Sequence, residues 1–453
     1  MSGTKRKILS LLLLAVFLLT STVGCGKQTQ TPPPATPEVK TITSEELKAN
    51  LDNPEYVIVD LRPDEAYNGW KIDGISRGGH IKNAVHFTSS WLNEVQENEL
   101  PKLLEEKGLK KDKKIVLYHS QKEEIDKMAE KLASLGYTEV YKFEELKKWA
   151  DEDMPMASLP NYQILVYPEW VNQLIKGEKP DTYQGKNFVI LHASWGETSE
   201  DYNKGHIPGS FHFNTDNIET EPDWNLGPAD KVKKSLEKFG ISTDTTVVVY
   251  SEDISAASRV VFALLWAGVK DVRLLNGGMK AWQEAGLEVE TKENKPTPIA
   301  DFGAKVPARP ELSLPYPEDV LAKQKDPNFR LVSIRSWDEF IGKTSGYDYI
   351  EKAGEPKGAV WGHAGSDAYS MEDYLDVDGT LRNPYEIEKL WAEWDIKRDN
   401  EVSFYCGTGW RATVAWIVAH MLGWEKITVY DGGWLLWSKD PKNPVQIGDP
   451  RKQ

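Results

Sequence analysis

The sequence predicts an α/β protein built from three repeated domains, each with a mostly parallel sheet flanked by helices. Two families of apolar, β-branched segments carry this prediction, because members of both families recur in the same order along the chain. The first family comprises YVIVDLR (56–62), FVILHAS (188–194) and FRLVSIR (329–335). The second family, whose members have a tyrosine before a small or polar residue, comprises KIVLYHS (114–120), TVVVYSE (246–252) and EVSFYCG (401–407). A chain of 453 residues is long enough for two to four such cores.

The spacing between the two families is the strongest sign of a repeat. Equivalent positions in the two families lie 59 residues apart in the first two copies and 73 residues apart in the third. These pairs are Asp60 and His119, His192 and Ser251, and Ser333 and Cys406. The longer distance predicts an insertion in the third copy. A stretch with helical periodicity and a turn that ends in tryptophan follow each pair, and these tryptophans are Trp149, Trp282 and Trp437.

The first 25 residues resemble a bacterial lipoprotein signal peptide. A basic start at 5–7 precedes an apolar run at 8–20 that is too short to span a bilayer comfortably, and the segment ends in TVGC. An aliphatic residue is usual where Thr22 stands. The resemblance implies cleavage before Cys25 and lipidation of its thiol, which would anchor an exported protein at the extracytoplasmic face of the cell membrane. An ordinary signal peptide and an uncleaved anchor are the alternatives.

Polar and proline-rich segments separate the predicted units. After the signal peptide (1–25) the prediction is a linker at 26–40, domains at 41–157 and 161–290, a second linker at 291–315 and a third domain at 316–450. The net charge of −15 argues against nucleic acid as a partner. The eight histidines show no ligand-like spacing, and no cysteine pair or phosphate-binding glycine fingerprint is present, so neither a metal nor a cofactor is expected.

Motifs between the strands resemble those of the rhodanese family, and in particular its tandem sulfurtransferases. The family pattern is Asp-x-Arg, an acidic–aromatic pair, Gly-His-Ile and a closing Gly-Gly turn. It is present at 60–62, 65, 67 and 79–81 in the first copy, at 202, 205–210 and 277–278 in the second, and at 335, 339–340, 358–360 and 432–433 in the third. The third copy has Ser333 in place of the aspartate and lacks Gly-His-Ile. The resemblance implies three rhodanese-like domains.

The family carries sulfur as a persulfide on a cysteine that follows the central strand. Sites in parallel sheets form at the carboxyl ends of strands, which is where the residue after each repeated tyrosine lies. That residue is His119, Ser251 and Cys406 in the three copies. The resemblance therefore implies that the first two domains are inactive and that Cys406 is catalytic. We expect His119 to be a solvated loop residue.

The loop after Cys406 suits sulfur chemistry. A helix predicted to begin near Ala412 would place the sulfur at a positive helix end, which favours the thiolate. The predicted substrate-binding residues are Gly407, Thr408, Gly409, Trp410, Arg411 and Arg335. The glycines let backbone N–H groups converge on the sulfur, and Arg411 adds a cation whose fork suits oxyanions. Trp410 either walls the pocket or packs elsewhere. The resemblance places Arg335 at the pocket mouth, with a surface ion pair as the alternative.

These observations predict a thiosulfate sulfurtransferase. The Cys406 thiolate would attack the outer sulfur of thiosulfate, sulfite would leave, and a thiol or cyanide would take the sulfur from the persulfide. The fold-related phosphatases need five residues between cysteine and arginine, whereas four separate Cys406 from Arg411. The sequence CGTG also resembles the Cys-Gly-Ser-Gly loop, so 3-mercaptopyruvate is an alternative donor. A non-catalytic, membrane-tethered scaffold remains a further alternative, because two of the three sites lack cysteine.

Overall fold

The structure, a computed structural model, describes residues 39–452 of the chain. This part contains three five-stranded sheets in which all neighbouring strands are parallel. The predicted α/β class with three repeated domains is therefore confirmed. The predicted signal peptide and Cys25 lie outside the described residues. Between residues 39 and 452, none of the helices has both the length and the apolar character needed to cross a bilayer.

The first domain places its candidate position at the centre of the sheet. Its elements are β1 (Lys40–Thr41), α1 (Ser44–Ala49), β2 (Tyr56–Asp60), α2 (Asp64–Asn68), β3 (His80–Ile81), β4 (Val85–His86), α3 (Trp91–Glu94), α4 (Leu100–Glu106), β5 (Lys114–Tyr118), α5 (Lys122–Ser134), β6 (Val140–Phe143), α6 (Leu146–Asp151) and β7 (Met156–Ala157). The strand order is β1-β6-β5-β2-β4, so the central strand β5 leads into His119. Helix α1 begins after Thr43, which forms a capping box with Glu46.

The second domain repeats this arrangement. Its elements are β8 (Leu165–Val166), α7 (Pro168–Ile175), β9 (Phe188–Ser194), α8 (Glu200–Lys204), β10 (Phe211–Asn214), β11 (Glu219–Thr220), β12 (Asn225–Leu226), α9 (Ala229–Lys238), β13 (Thr246–Tyr250), α10 (Ile254–Ala267), β14 (Asp271–Leu275) and α11 (Gly278–Glu284). The sheet order is β10-β9-β13-β14-β8, and the antiparallel pair β11–β12 stands outside it. Helix α10 begins at Ile254 because the Asp253 side chain accepts the Ser255 N–H.

The third domain has the same sheet with longer connections. Its elements are β15 (Ser313–Leu314), α12 (Pro317–Lys323), β16 (Phe329–Ser333), α13 (Trp337–Phe340), β17 (Glu355–Pro356), β18 (Val360–Trp361), α14 (Pro384–Ala392), β19 (Glu401–Tyr405), α15 (Trp410–Met421), β20 (Ile427–Tyr430), α16 (Gly433–Lys439) and β21 (Val445–Gln446). The order is β15-β20-β19-β16-β18. The predicted linker 291–315 ends too late, because β15 already pairs with β20. Helix α15 begins two residues before the predicted Ala412.

Strand register confirms the alignment of the three copies. The polar position of the first strand family pairs with the repeated tyrosine in every sheet. The pairs are Asp60 with Tyr118, His192 with Tyr250, and Ser333 with Tyr405. Because each tyrosine ends the central strand, the next residue occupies the same site in each domain.

The second and third domains share one hydrophobic core. Helices α10 and α15 pack against each other, and the Phe262 and Trp416 ring centroids are 5.2 Å apart in an edge-on contact. Every residue of α10 after Ile254 is buried, because this helix lies between the two domains. The first domain has two cores of its own and contacts the others through Trp70 and Lys107.

The extra length of the third copy lies in two segments beside its sheet. One runs from 341 to 359, between α13 and β18, and the other from 362 to 383, between β18 and α14. In the second domain the matching connections are 205–210 and 215–228. The insertion predicted from the 73-residue spacing is therefore present, and it is divided between these two connections.

Candidate active site

The loop after β19 encloses the thiol of Cys406. This residue is 1% exposed, and the Gly409 N–H donates to its Sγ at 3.2 Å. Gly409 has a φ of +99°, which a residue with a side chain rarely adopts, and it forms the N-cap of α15. A backbone donor and the positive end of a twelve-residue helix thus face one sulfur atom, and both stabilise a negative charge there.

The closing Gly-Gly turn holds this loop from behind. The N–H of Trp434 donates to the Cys406 carbonyl at 2.8 Å, and that of Leu435 donates to the Gly407 carbonyl at 3.1 Å. A Cβ on Gly433 would lie 2.4 Å from the Gly407 carbonyl oxygen, and its φ is +54°. The Gly-Gly turn therefore contains a glycine at 433 because a larger residue there would collide with the sulfur loop.

Arg411 lies beside the sulfur but does not present its fork to the cavity. Its Nη1 and Nη2 each donate to a carboxylate oxygen of Glu339 at 3.0 Å, and Nη2 also donates to the Tyr347 hydroxyl at 2.9 Å. Burial alone would lower the pKa of Arg411, but Tyr347 and Glu339 raise it well above its ordinary value. Of the three side-chain nitrogens of Arg411, only Nε is buried without a hydrogen-bond partner among residues 39–452. The prediction that the guanidinium fork of Arg411 binds an oxyanion is therefore wrong, because Glu339 occupies it. The side chain nevertheless places a positive charge beside the sulfur, as predicted.

Arg335 is not at the pocket mouth, which corrects the sequence-based expectation. Its side chain is 0% exposed, and its Nε donates to Glu339 at 3.1 Å while Nη1 donates to Glu355 at 2.8 Å. The remaining donors bond the Gly354 and Ser345 carbonyls. Since each nitrogen is occupied, Arg335 positions Glu339, which in turn positions Arg411. It does not contact the cavity.

Glu355 supplies the carboxylate that the third domain lacks at position 333. In the first domain, Asp60 pairs with Arg62 at 2.6 Å and accepts from the Tyr118 hydroxyl at 2.7 Å. In the third domain, Glu355 accepts from Arg335, Ser333 and Tyr405 instead. Burial raises the pKa of Glu355 to about 7. The network beneath the loop is thus preserved, although its carboxylate comes from the inserted segment.

A cavity of about 790 Å³ opens above this loop. Its lining comes from four places: the loop, the two inserted segments, helix α16 and the second domain. The loop contributes Thr408, Trp410 and Arg411; the insertions contribute Tyr347, Tyr349, Ala368 and Tyr369; α16 contributes Leu435 and Lys439; and the second domain contributes Trp195, Glu219, Glu221, Pro222, Trp224, Asp253 and Ser255. The volume suits a small molecule.

A buried ion cluster joins the second domain to the loop. Arg259 on α10 donates to Glu219 at 3.2 Å and to Asp431 at 2.6 Å, so its charge bridges two domains. Glu219 also accepts from the Trp410 indole N–H at 3.0 Å. Burial raises the pKa of Glu219, against the opposing effect of Arg259. Trp410 therefore walls the cavity and is held there by the second domain.

The corresponding positions of the first two domains contain no nucleophile of this kind. Ser251 is buried, and its hydroxyl accepts the Asp253 N–H at 3.1 Å. His119 is 8% exposed and its Nδ1 accepts the Gln121 N–H at 2.9 Å, so the expected solvated histidine is wrong. Burial lowers the pKa of His119. Both side chains cap their own loops.

Comparison with known proteins agrees with this geometry. The sequence matches the rhodanese-like domain family three times, over residues 43–152, 168–285 and 316–440. The chain belongs to the rhodanese family. Among its relatives, thiosulfate sulfurtransferase YnjE of Escherichia coli (strain K12) is 42% identical over 394 residues, which are 86% of this chain and 89% of that protein. Human 3-mercaptopyruvate sulfurtransferase is 26% identical over 296 residues, 62% of this chain and 94% of that protein.

Solved structures of EanB superimpose on nearly the whole described chain. An EanB variant with a tyrosine replaced by alanine, in complex with ergothioneine, has 37% identity and a TM-score of 0.87, and the match covers 91% of this chain and 100% of that one. A variant in complex with hercynine has the same identity and TM-score and covers 91% and 99%. Another EanB structure holds a cysteine persulfide in a tetrahedral intermediate state with ergothioneine.

Sequence reasoning located the rhodanese loop but missed the rest of the cavity. The structure brings together Cys406 and the predicted residues 407–411, and it excludes Arg335. The missed residues lie on the inserted segments and on the second domain. The only sequence signal for the inserted segments was the 73-residue spacing, which indicated additional residues but not their function. The sequence carried no signal for the cavity residues of the second domain, because a contact between domains depends on how the domains dock.

Proposed function

We propose that the chain is a sulfurtransferase that carries sulfane sulfur as a persulfide on Cys406. The observation that carries the proposal is the Gly409 N–H on the Cys406 Sγ at 3.2 Å, with the charged Arg411 alongside. Cys406 is the free cysteine of residues 39–452, and membership in the rhodanese family supports its role. The lipid anchor at Cys25 and an extracytoplasmic location are proposals from the sequence alone.

The reaction is a double displacement. The thiolate attacks the outer sulfur of thiosulfate, the S–S bond of the donor breaks, and sulfite leaves with the bonding electron pair. Cyanide or a thiolate then attacks the outer sulfur of the persulfide, and the Cys406 thiolate is released. The unpaired Nε of Arg411 is the donor available to the anionic persulfide. A phosphatase is disfavoured, because Glu339 occupies the arginine fork that a phosphate would need.

Thiosulfate is the proposed donor, with 3-mercaptopyruvate as the alternative. The name of the 42% identical relative supports the first, and the human relative supports the second. The test is thiocyanate formation from cyanide by the purified protein, with each donor run separately. We expect Cys406→Ser to abolish turnover and Ser251→Ala, at the matching position of the second domain, to retain it. Equal rates in the wild type and Cys406→Ser, or no rate in the wild type, would refute sulfur transfer and favour a scaffold.

A second candidate acceptor is the imidazole ring of hercynine. Solved EanB structures hold hercynine or ergothioneine, and their variants alter a tyrosine 59 residues before the persulfide cysteine and a threonine two residues after the same cysteine. Tyr347 and Thr408 stand at those distances from Cys406, and both line the cavity. The step balances, because the outer persulfide sulfur replaces the ring C–H by C–SH while Cys406 returns to its thiol.

The acceptor is identified by mass spectrometry. Protein loaded with sulfur is incubated with hercynine, and ergothioneine is measured against the loss of the persulfide. We expect Tyr347→Phe to slow this transfer more than it slows thiocyanate formation, because Tyr347 lines the cavity and its hydroxyl accepts from Arg411. Persulfide that persists in the presence of hercynine would exclude this acceptor.

A further inference from the structure

The wall of the cavity contributed by the second domain is aromatic and acidic. Trp195 is 60% exposed, and its ring lies edge-on to that of Trp224 with centroids 6.2 Å apart. The carboxylates of Glu221 and Asp253 line the same wall. On the opposite side, Tyr349 and Tyr369 are 52% and 75% exposed. Large aromatic side chains left open to solvent around one cavity mark a binding surface.

The charges of this cavity do not balance. Each cation that lines it already has a carboxylate partner: Arg411 is paired with Glu339, and Lys439 lies 2.6 Å from Asp223. Glu221 forms no ion pair with any residue of 39–452, whereas Asp253 accepts the Ser255 N–H and is also attracted by the charge of Arg411. The wall formed by the second domain is therefore a region of negative potential, and a cation is the complementary ligand group.

The cavity has opposite preferences at its two ends. The buried, unpaired Nε of Arg411 near Cys406 calls for an anionic partner such as the persulfide. The tryptophans and carboxylates on the other side call for a cation. Aromatic faces with nearby carboxylates recognise quaternary ammonium groups, which are cationic and have no N–H to donate. An acceptor with its reactive carbon at one end and a trimethylammonium group at the other matches this polarity.

We propose that the second domain, which lacks the nucleophile, binds the quaternary ammonium group of the sulfur acceptor through Trp195, Trp224, Glu221 and Asp253. The inference rests on the proposed sulfur transfer and narrows its acceptor to a betaine-type small molecule. The second domain has Ser251 where the third has its cysteine, so in this proposal it has no catalytic site of its own and instead contributes substrate-binding residues to the site of the third domain.

The test separates recognition from turnover by measuring binding to the Cys406→Ser protein, which cannot form the persulfide. Isothermal titration compares hercynine with histidine, which has the same ring and a primary ammonium group. We expect hercynine to bind more tightly. The double variant Trp195→Leu/Glu221→Gln should raise the Kd for hercynine at least about tenfold and that for histidine much less. Glu197→Gln, an exposed acid beside the wall that does not line the cavity, is the matched control and should change neither.

Three results would overturn the inference: no binding of hercynine, equal binding of hercynine and histidine, or an unchanged Kd in the double variant. The outcome is independent of the thiocyanate assay, because cyanide has no ammonium group. If the wild type forms no thiocyanate, the proposed function fails. If it forms thiocyanate but does not discriminate between the two ligands, only the assignment of the second domain fails.

Discussion

Removing the charge of Glu339 tests the buried network that supports the sulfur loop. This carboxylate is fully buried and accepts from Arg411 at 3.0 Å, from Arg335 at 3.1 Å and from the Ser336 N–H at 2.9 Å. Burial alone would raise its pKa, but Arg411 and Arg335 lower the pKa of Glu339 to about 2. The perturbation is Glu339→Gln, which retains the size of the side chain and removes its charge.

The pKa gives the expected magnitude. A shift from 4.5 to about 2 corresponds to about 3 kcal/mol at about 1.36 kcal/mol per unit. Loss of one partner of a buried ion pair costs about 3–5 kcal/mol. We therefore expect Glu339→Gln to lower the free energy of unfolding of the third domain by about 3 kcal/mol at pH 7. Since the pKa is lowered in the folded state, this contribution is complete above about pH 4.5 and is lost as the pH falls towards 2, so the difference between variant and wild type shrinks in acid.

Native-state hydrogen exchange of the α15 amides is a suitable measurement, because it reports on the helix that carries Arg411 and follows the sulfur loop. Asp338→Asn is the matched control, since this neighbouring residue is exposed and pairs with Lys343 at 2.6 Å. A surface pair of this kind contributes at most about 1 kcal/mol. The reasoning is refuted if Glu339→Gln changes the exchange free energy by no more than Asp338→Asn does at pH 7.

Three further predictions concern other parts of the molecule. Lys107→Met should destabilise docking of the first domain by about 3–5 kcal/mol, because it leaves Asp376 buried without its cation and Glu386 with Arg382 alone; faster proteolysis within 362–383 checks this, and unchanged cleavage contradicts it. Burial, aided by Asp64, raises the pKa of Glu65 from 4.5 to about 7, so this group makes the wild type less stable as the pH rises from about 4.5 to 7, with no further change above that, and Glu65→Gln should reduce the fall in thermal stability between pH 5 and pH 7.5. Gly433→Ala should reduce thiocyanate formation at least about tenfold with an unchanged circular dichroism spectrum, because its Cβ would displace the loop; full activity would contradict the role of the turn.

The fold and the nucleophile could be predicted from the sequence because both depend on local pattern. Buried parallel strands have continuous apolar runs, and the equal spacing of 59 residues in two copies fixed the alignment that placed Cys406 at the catalytic position. The register of Ser333 with Tyr405 confirms that alignment. The boundary at 316 was late, since the two-residue strand Ser313–Leu314 has too little pattern to be recognised.

The roles of the two arginines could not be predicted, because they depend on burial and on partners distant in sequence. Arg335 and Arg411 were both expected to bind the substrate, as a free guanidinium would. In the structure Glu339 holds both, and Glu355, 22 residues beyond Ser333, replaces the missing aspartate. A motif arginine can indicate where a site lies, but only the structure shows whether nearby carboxylates already occupy the N–H groups that would bind a substrate.

The bridge from Arg259 to Asp431 and Glu219 also bears on how this protein can change over generations. Substitution of Arg259 would leave two buried carboxylates without their cation at once, one in each domain, and one of them is Glu219, which holds Trp410. Compensation would require simultaneous changes in three separate stretches of chain. The last two domains are therefore coupled energetically, and we expect a chimera that exchanges the third domain with that of a relative to fold properly only if α10 and the β11–β12 hairpin are transferred with it.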